Sequence, residues 1–397
     1  MKIVFLTPNY PPTICGVGDH TQRLALEMVK KGIEIHVICS ANQTPPPTDS
    51  PLLTVHPVVK TWNTEGVISI LNVVKTIQPD WFITQYVPHS YHQKGLSYIL
   101  LFLYRQLRQL KTPILTIFHE VKIRPERAFK TRLMSYLQSV IAYKLSNMSA
   151  KIVTSIDFYD HNLKDISSDK KTIIPIGSNI LPIDVSDLEK QNLRDKYKIE
   201  KNAKVVCTFG NRDISSFLPV FDSLSTDYPN LIWLICGKNN TPALVWPSRN
   251  YLRYVGSMSA DDIYRHLSIG DVFFLPDYLS ENGEGGTCNK SGSLACGLSL
   301  NIPIIGTKGD MNNQLLQDKE NILLVDINDK NAVVNAFKSC FESPNFSRKL
   351  GNNARNLYDK QLIWKGLAQQ LLEVMGIRFS KINVGEVLNL ADVDATK

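Results

Sequence analysis

"KIVFLTPNYPPTICGVGDHTQRLALEMVKKGIEIHVICS" (residues 2–40) joins an apolar β-branched run, a long loop with two glycines, an amphipathic stretch read as a helix over 20–31, and a second apolar run. Short apolar runs separated by a helix signal a parallel β-α-β unit with strands buried on both faces. A dinucleotide fingerprint would turn tightly through G-x-G-x-x-G and place an acid about 20 residues further on. Here the loop is long, Thr21 stands where the third glycine belongs, and the second run ends in Ser40. A nicotinamide cofactor is therefore not expected. Gly16 and Gly18 instead permit close backbone approach at a helix N-terminus, where free N–H groups and the dipole favour an anion. Asp19, with Gln22 three residues on, reads as a cap for the same helix.

Outward from this unit the alternation continues through helix 65–77, "WFITQY" (81–86), helix 95–109, "PILTIFH" (113–119), helix 128–146 and "KIVTSI" (151–156). A proline-rich, then polar segment (173–202) follows. The pattern restarts at "AKVVCTFG" (203–210) and runs through "LIWLICG" (231–237), "LRYVG" (252–256), "DVFFLP" (271–276), "IPIIGT" (302–307) and "ILLVD" (322–326). Two such series predict an α/β protein of two doubly wound, Rossmann-like domains, residues 1–180 and 181–360, facing across a cleft. Ligands of open parallel sheets sit at the strand carboxyl ends. That directs attention to Pro8–Asp19, Gln85–His92, His119-Glu120, Gly210-Asn211-Arg212, Gly237-Lys238 and Pro276–Ser293.

The formal charge of +7 is uneven: residues 1–180 carry 20 Lys+Arg against 12 Asp+Glu, and residues 181–397 carry 24 against 25. Part of the excess lies in 122–132 (Lys122, Arg124, Arg127, Lys130, Arg132), read as either a solvated helix face or a site for an anionic acceptor or membrane surface. Nothing points to nucleic acid. Seven cysteines without a C-x-x-C pair argue against a zinc site or disulfide framework and fit a reducing cytoplasm. The apolar run "YILLFLY" (98–104) is far short of the roughly 20 residues that span a bilayer. No signal peptide is read at the start. The expected location is the cytoplasm, with peripheral membrane attachment open.

In order and spacing, "PNYPP…CGVGDHTQRLALEMVKKGIEIHVI", "LTIFHE", "IIPIGSNI", "VVCTFGNRD", "LIWLICGK", "YVGSMSADDIYRHLSIGDVFFLP" and "SGSLACGLSLNIPIIGTKGDMNNQLLQDKENILLV" resemble the family 4 retaining glycosyltransferases of the GT-B fold. The likeness runs from Met1 to about Met375. It implies that the helix of 361–377 rejoins the first domain and leaves 378–397 as a tail. It further implies transfer of a sugar from a nucleoside-diphosphate sugar to a sugar, lipid-linked or small-molecule acceptor, with the anomeric configuration retained.

At single residues the resemblance places Gly16 against the donor diphosphate or acceptor and His119 beside the donor sugar, with Glu120 adjoining it. Relatives usually follow glycine with arginine and later a lysine. Here "FGNRDISSFLP" (209–219) puts Arg212 one place late, and no lysine follows. The family's Glu-x7-Glu pair is absent: anchoring on Pro303 puts Cys288 and Cys296 there, and anchoring on "ACG" puts Glu284 and Gly292. The stretch "TCNKSGSLACGLSLNIPIIGT" (287–307) is similar instead to a branch that carries a Ser/Arg-rich turn before S-L. Lys290 before Ser291, Gly292 and Ser293 offers a cation, hydroxyls and N–H groups to phosphate. Glu281 and Glu284 read as sugar-hydroxyl partners or as loop solubilisers. No D-x-D follows a strand, so neither metal nor cofactor is expected. Catalysis is expected at His119, Arg212 and Lys290, and donor binding at the strand-end and turn residues named above. The alternatives are a non-catalytic nucleotide-sugar or glycan-binding partner and a GT-B epimerase.

Overall fold

A computed structural model describes residues 1–45, 50–125, 128–237 and 249–378. The first part of the chain runs β1 (Lys2–Leu6), α1 (Gly16–Val29), β2 (Glu34–Ser40), β3 (Leu53–Val59), α2 (Thr64–Ile77), β4 (Trp81–Tyr86), the single turn α3 (Pro88–Tyr91), α4 (Ile99–Gln109), β5 (Ile114–Phe118), α5 (Phe129–Met148), β6 (Lys151–Thr154), α6 (Asp157–His161) and β7 (Lys171–Ile173). Its strands form one parallel sheet in the order β3-β2-β1-β4-β5-β6-β7. The chain continues through α7 (Asp187–Lys196), β8 (Val205–Phe209), α8 (Leu218–Asp227), β9 (Ile232–Cys236), β10 (Leu252–Gly256), α9 (Ala260–Leu267), β11 (Val272–Leu275), α10 (Gly292–Ser299), β12 (Ile304–Thr307), β13 (Leu323–Val325), α11 (Lys330–Glu342), α12 (Pro344–Gln361) and α13 (Trp364–Val374). These strands build a second parallel sheet, β10-β9-β8-β11-β12-β13.

Both sheets wind outward in two directions from a central pair, β1/β4 in the first and β8/β11 in the second. At each such reversal the flanking loops diverge and leave a crevice at the strand carboxyl ends. The central strands are apolar on both faces, as helices above and below require. Ile3, Val4, Phe5 and Leu6 are wholly buried, as are Val205, Val206 and Cys207.

Three departures from the sequence reading shape the first sheet and its cavity edge. Helix α1 starts at Gly16 rather than at residue 20, so both loop glycines lie in its first turn and Asp19 lies inside the helix, where it cannot cap; the N-cap is Cys15, without a side-chain bond. Strand β3 has no counterpart in the sequence reading because Pro57 interrupts its pattern. It survives as an edge strand, where a missing N–H costs least. Strand β7 is three residues long at the other edge.

Helix α13 leaves the second sheet's neighbourhood and packs on α1. Trp364, Leu367, Ala368, Leu371, Leu372 and Met375 share a core with Leu24, Ala25 and Met28. The two connecting segments touch. Trp364 Nε1 donates to Ser178 O at 2.7 Å, and a Cβ on Gly177 would fall 2.9 Å from Trp364 and Leu367 side-chain atoms.

Candidate active site

The loops at the two sheet reversals face one another. After β1, the loop ends at the N-terminus of α1. After β5 come His119 and Glu120; after β8, Gly210 to Asp213; after β11, a long segment that leads into α10. A cavity of about 300 Å³ between the sheets is lined by Gly16, Val17, His119, Glu120, Lys290 and Gly292, among others. A second, of about 640 Å³, is lined by Asn211, Arg212, Asp213, Asp277, Ser293 and Lys330, among others. Consecutive residues Gly292 and Ser293 face different cavities, so the first turn of α10 stands between them.

His119 is 7% exposed and contacts Gln85 Oε1 through Nε2 at 2.7 Å. A carbonyl oxygen only accepts, so Nε2 carries the proton and Nδ1 the lone pair. Burial, reinforced by Lys290, drives the His119 pKa down to about 4, so the ring is neutral at pH 7. His20, from α1, meets the same ring edge-on at 4.8 Å, and its Nδ1 is buried without a partner. Nothing local in the sequence marks His20; only the fold brings α1 beside β5.

Lys290 is pinned from the opposite domain. Its Nζ donates to Tyr159 Oη at 2.8 Å and lies 3.8 Å from a Glu120 oxygen. Burial opposes the charge, yet Tyr159 and Glu120 outweigh it and hold the ammonium above the ordinary lysine pKa. The lysine is a fixed cation in the cavity.

Arg212 differs from the free cation expected. Its Nε and Nη2 contact Asp277 Oδ1 at 3.0 and 2.9 Å, and Nη1 donates to Phe209 O. The pair ties the loop after β8 to the loop after β11 and neutralises the guanidinium. Gly210, at φ +100°, keeps space for this arrangement, since a Cβ would fall 2.7 Å from Arg212 Nη1 and 2.9 Å from Ser293 Oγ.

The remaining candidates divide. Gly16 opens on the first cavity, and a Cβ added there would meet nothing within 4 Å, whereas one on Gly18 would be pressed against Asn9 O at 2.8 Å. Gly18 thus serves packing rather than a ligand. Ser291 Oγ accepts from Leu294 N as the cap of α10, so its hydroxyl is engaged in the helix. Glu284 lies 3.7 Å from Arg124 and is absent from the walls of both cavities. Gly237 also lies outside them, its carbonyl bonded to Tyr254 Oη. Lys238 lies outside the described residues. Cys288 and Cys296 are buried thiols with pKa values pushed up by desolvation, to about 11 and about 12. Among the described residues no cluster of three His, Cys, Asp or Glu is arranged to hold a metal ion.

Residues 189–357 match the model of the family described as glycosyl transferases group 1. No curated protein matches the chain in sequence. Among solved structures, sucrose-phosphate synthase from Thermosynechococcus elongatus aligns with a TM-score of 0.68 at 15% identity, over 95% of this chain and 98% of its own. Anabaena Alr3699/HepE, solved in complex with UDP, aligns at 0.66 and 14% identity over 95% and 100%. UDP-GlcNAc 2-epimerase from Neisseria meningitidis aligns less closely, at 0.57 and 15% over 94% and 99%. The chain has the GT-B fold. At these identities the likeness speaks for architecture alone, and the matched family segment covers the second sheet from α7 into α12.

Proposed function

We propose that the chain transfers a sugar from a nucleoside-diphosphate sugar to an acceptor hydroxyl, with the anomeric configuration retained. One observation carries the reading: the fixed cation Lys290 of one domain stands opposite His119 in a cavity between the two sheet reversals. The group 1 match over 189–357 supports it, as does the UDP named for Alr3699/HepE.

In this reading the larger cavity takes the nucleotide, where the Asp213 carboxylate suits a ribose hydroxyl. The diphosphate lies across the first turn of α10, where Lys290 and free N–H groups meet the charge that grows as the C1–O bond breaks. Retention puts the acceptor oxygen on the face the phosphate leaves, so the acceptor proton passes to a phosphate oxygen as the new bond to C1 forms. Neutral His119 contacts a sugar hydroxyl and carries no proton through the step. The side chains and helix ends supply the positive charge, so the reaction is proposed to need no metal or other cofactor. The free thiols fit a reducing cytoplasm.

A screen of nucleotide sugars for acceptor-dependent release of nucleoside diphosphate, followed by NMR of the product's anomeric centre, tests the reading. His119→Ala should lower turnover by ~10²-fold or more with nucleotide binding nearly intact. Inversion at C1 would overturn the stereochemical part. The neutralised Arg212 and the two thiols in place of glutamates favour a second reading, a non-catalytic nucleotide-sugar binder. Tight binding without release, across acceptors, would establish it. Release without acceptor, with a changed sugar, would point to an epimerase.

A further inference from the structure

Helix α5 is apolar on its outward face as well as its inward one. Inward, Ile141, Ala142 and Leu145 join the core beside buried Ser135, Gln138 and Ser146, where Ser135 Oγ donates to Ile123 O and Gln138 Oε1 accepts from Ile123 N. Its outward face carries Phe129 (80% exposed), Leu133, Tyr136 (66%) and Tyr143, with half-buried Val140 completing the four-three-four-three spacing of one helical stripe. A helix that only covers a sheet is polar on its outer face, since apolar side chains left in water forfeit their burial energy. Arg132 borders the stripe on one side, and Lys130 and Lys144 on the other, all exposed or partly so. Phe102 and Arg105 are exposed on the adjoining α4.

The charge around this face is one-sided. Residues 81–156 hold 11 Lys+Arg and 2 Asp+Glu, whereas the rest of 1–180 holds 9 and 10. Neither α4 nor α5 contains an acidic residue. The patch keeps Lys130 and Arg132 of the 122–132 segment singled out in sequence and extends along α5 to Lys144. Arg124 is withdrawn from it by Asp310, and Arg127 lies outside the described residues.

We propose that α5, with α4, docks flat on an anionic lipid bilayer, with Phe129, Leu133, Tyr136 and Tyr143 at the level of the headgroups and Lys130, Arg132 and Lys144 on the lipid phosphates. Tyrosine suits this position because its ring is apolar and its hydroxyl stays wet. Cations along the rim add attraction to anionic lipid. Among the described residues no helix is long and apolar enough to cross a membrane, so the attachment is interfacial. The inference does not rest on the transfer reaction. Helix α5 nonetheless follows His119 and Glu120 by one short segment, so a docked α5 would hold the cavity close to the lipid surface.

The test uses the full chain with extruded vesicles, either phosphatidylcholine alone or phosphatidylcholine mixed with phosphatidylglycerol, in a flotation assay at low and high salt. Flotation with the anionic vesicles, weakened by salt, is expected. Arg132→Glu with Lys144→Glu should lower partitioning by ~10²-fold or more, and Phe129→Ser with Tyr136→Ser should lower it by at least ~10-fold, with melting temperatures unchanged. Tyr136→Trp, which keeps the aromatic ring, should fluoresce under brominated lipid with quenching beyond that of the unmodified chain. Failure of the unmodified chain to float with anionic vesicles would overturn the proposal. So would concentration-dependent self-association abolished by the same substitutions, which would make the stripe a contact between copies of the chain.

Discussion

Lys290 owes its place in the cavity to contacts 131 and 170 positions away in sequence, Tyr159 and Glu120. Lys290→Ala should lower kcat/KM by ~10²- to 10³-fold, the scale of one lost transition-state donor, while binding of the free nucleoside stays near its original strength. An undiminished kcat/KM in a steady-state assay would remove the lysine from the leaving-group role. Arg212 calls for a different expectation, because it is already paired. Arg212→Ala should destabilise the chain by about 2 kcal/mol by stranding a mostly buried Asp277, and adding Asp277→Ala should restore most of that loss in urea titrations. If Arg212→Ala leaves stability intact but abolishes turnover, the pair is not the main work of that guanidinium. For His119, the sign follows from its pKa of about 4 in the folded chain against 6.5 unfolded. The unfolded chain binds the proton first as pH falls, so this residue's stabilising effect is present above pH 6.5 and lost on the way down to about pH 4. Between pH 6.5 and 5 that amounts to roughly 2 kcal/mol. His119→Asn should flatten that part of the stability–pH curve, and an identical slope in both proteins would show that the ring is protonated in the fold.

At the scale of elements, the two glycines of α1 separate packing from binding. Gly18→Ala forces a carbon against Asn9 O and should cost about 1–3 kcal/mol, whereas Gly16→Ala meets nothing and should leave the melting temperature alone while weakening any ligand in the cavity. Equal melting temperatures for the two variants would contradict this division. Most of the strands could be read from their apolar runs, because a strand buried on both faces has to be apolar throughout. What escaped was whatever breaks that pattern: β3, which carries Pro57, and β7, with three residues at an edge. The start of α1 escaped because glycines and an uncapped Cys15 send no start signal. His119, Lys290 and Gly16 stood out as strand-end or turn residues, and the fold brings all three to one cavity. The pairing of Arg212 with Asp277, the proximity of His20 and the capping duty of Ser291 depend on contacts that no spacing encodes. The exposed apolar stripe of α5 could not be read without knowing which side of the helix met the sheet.

For the whole molecule, the cleft is bridged by Arg124, which reaches Asp310 with two bonds of 3.2 and 2.8 Å and lies 3.7 Å from Glu284. Asp310 Oδ1 also accepts from Gly285 N, so one arginine engages two loops of the opposite domain. Partly exposed pairs are worth little in global stability, yet two bodies joined by thin connections need little to shift between closed and open. Arg124→Ala should leave the melting temperature nearly unchanged and raise the radius of gyration in small-angle scattering without nucleotide, with added nucleotide restoring part of the compaction. An unaltered scattering profile would show that other contacts hold the cleft.

The return of α13 to the first domain also sets an order of events during synthesis. Leu24, Ala25 and Met28 complete their core with Trp364, Leu367 and Leu371, which leave the ribosome more than three hundred residues later. The second domain, whose strands and helices are contiguous from α7 to α12, can therefore finish folding while the first still waits with one flank uncovered. Until the last helix arrives, that flank is an apolar surface open to chaperones.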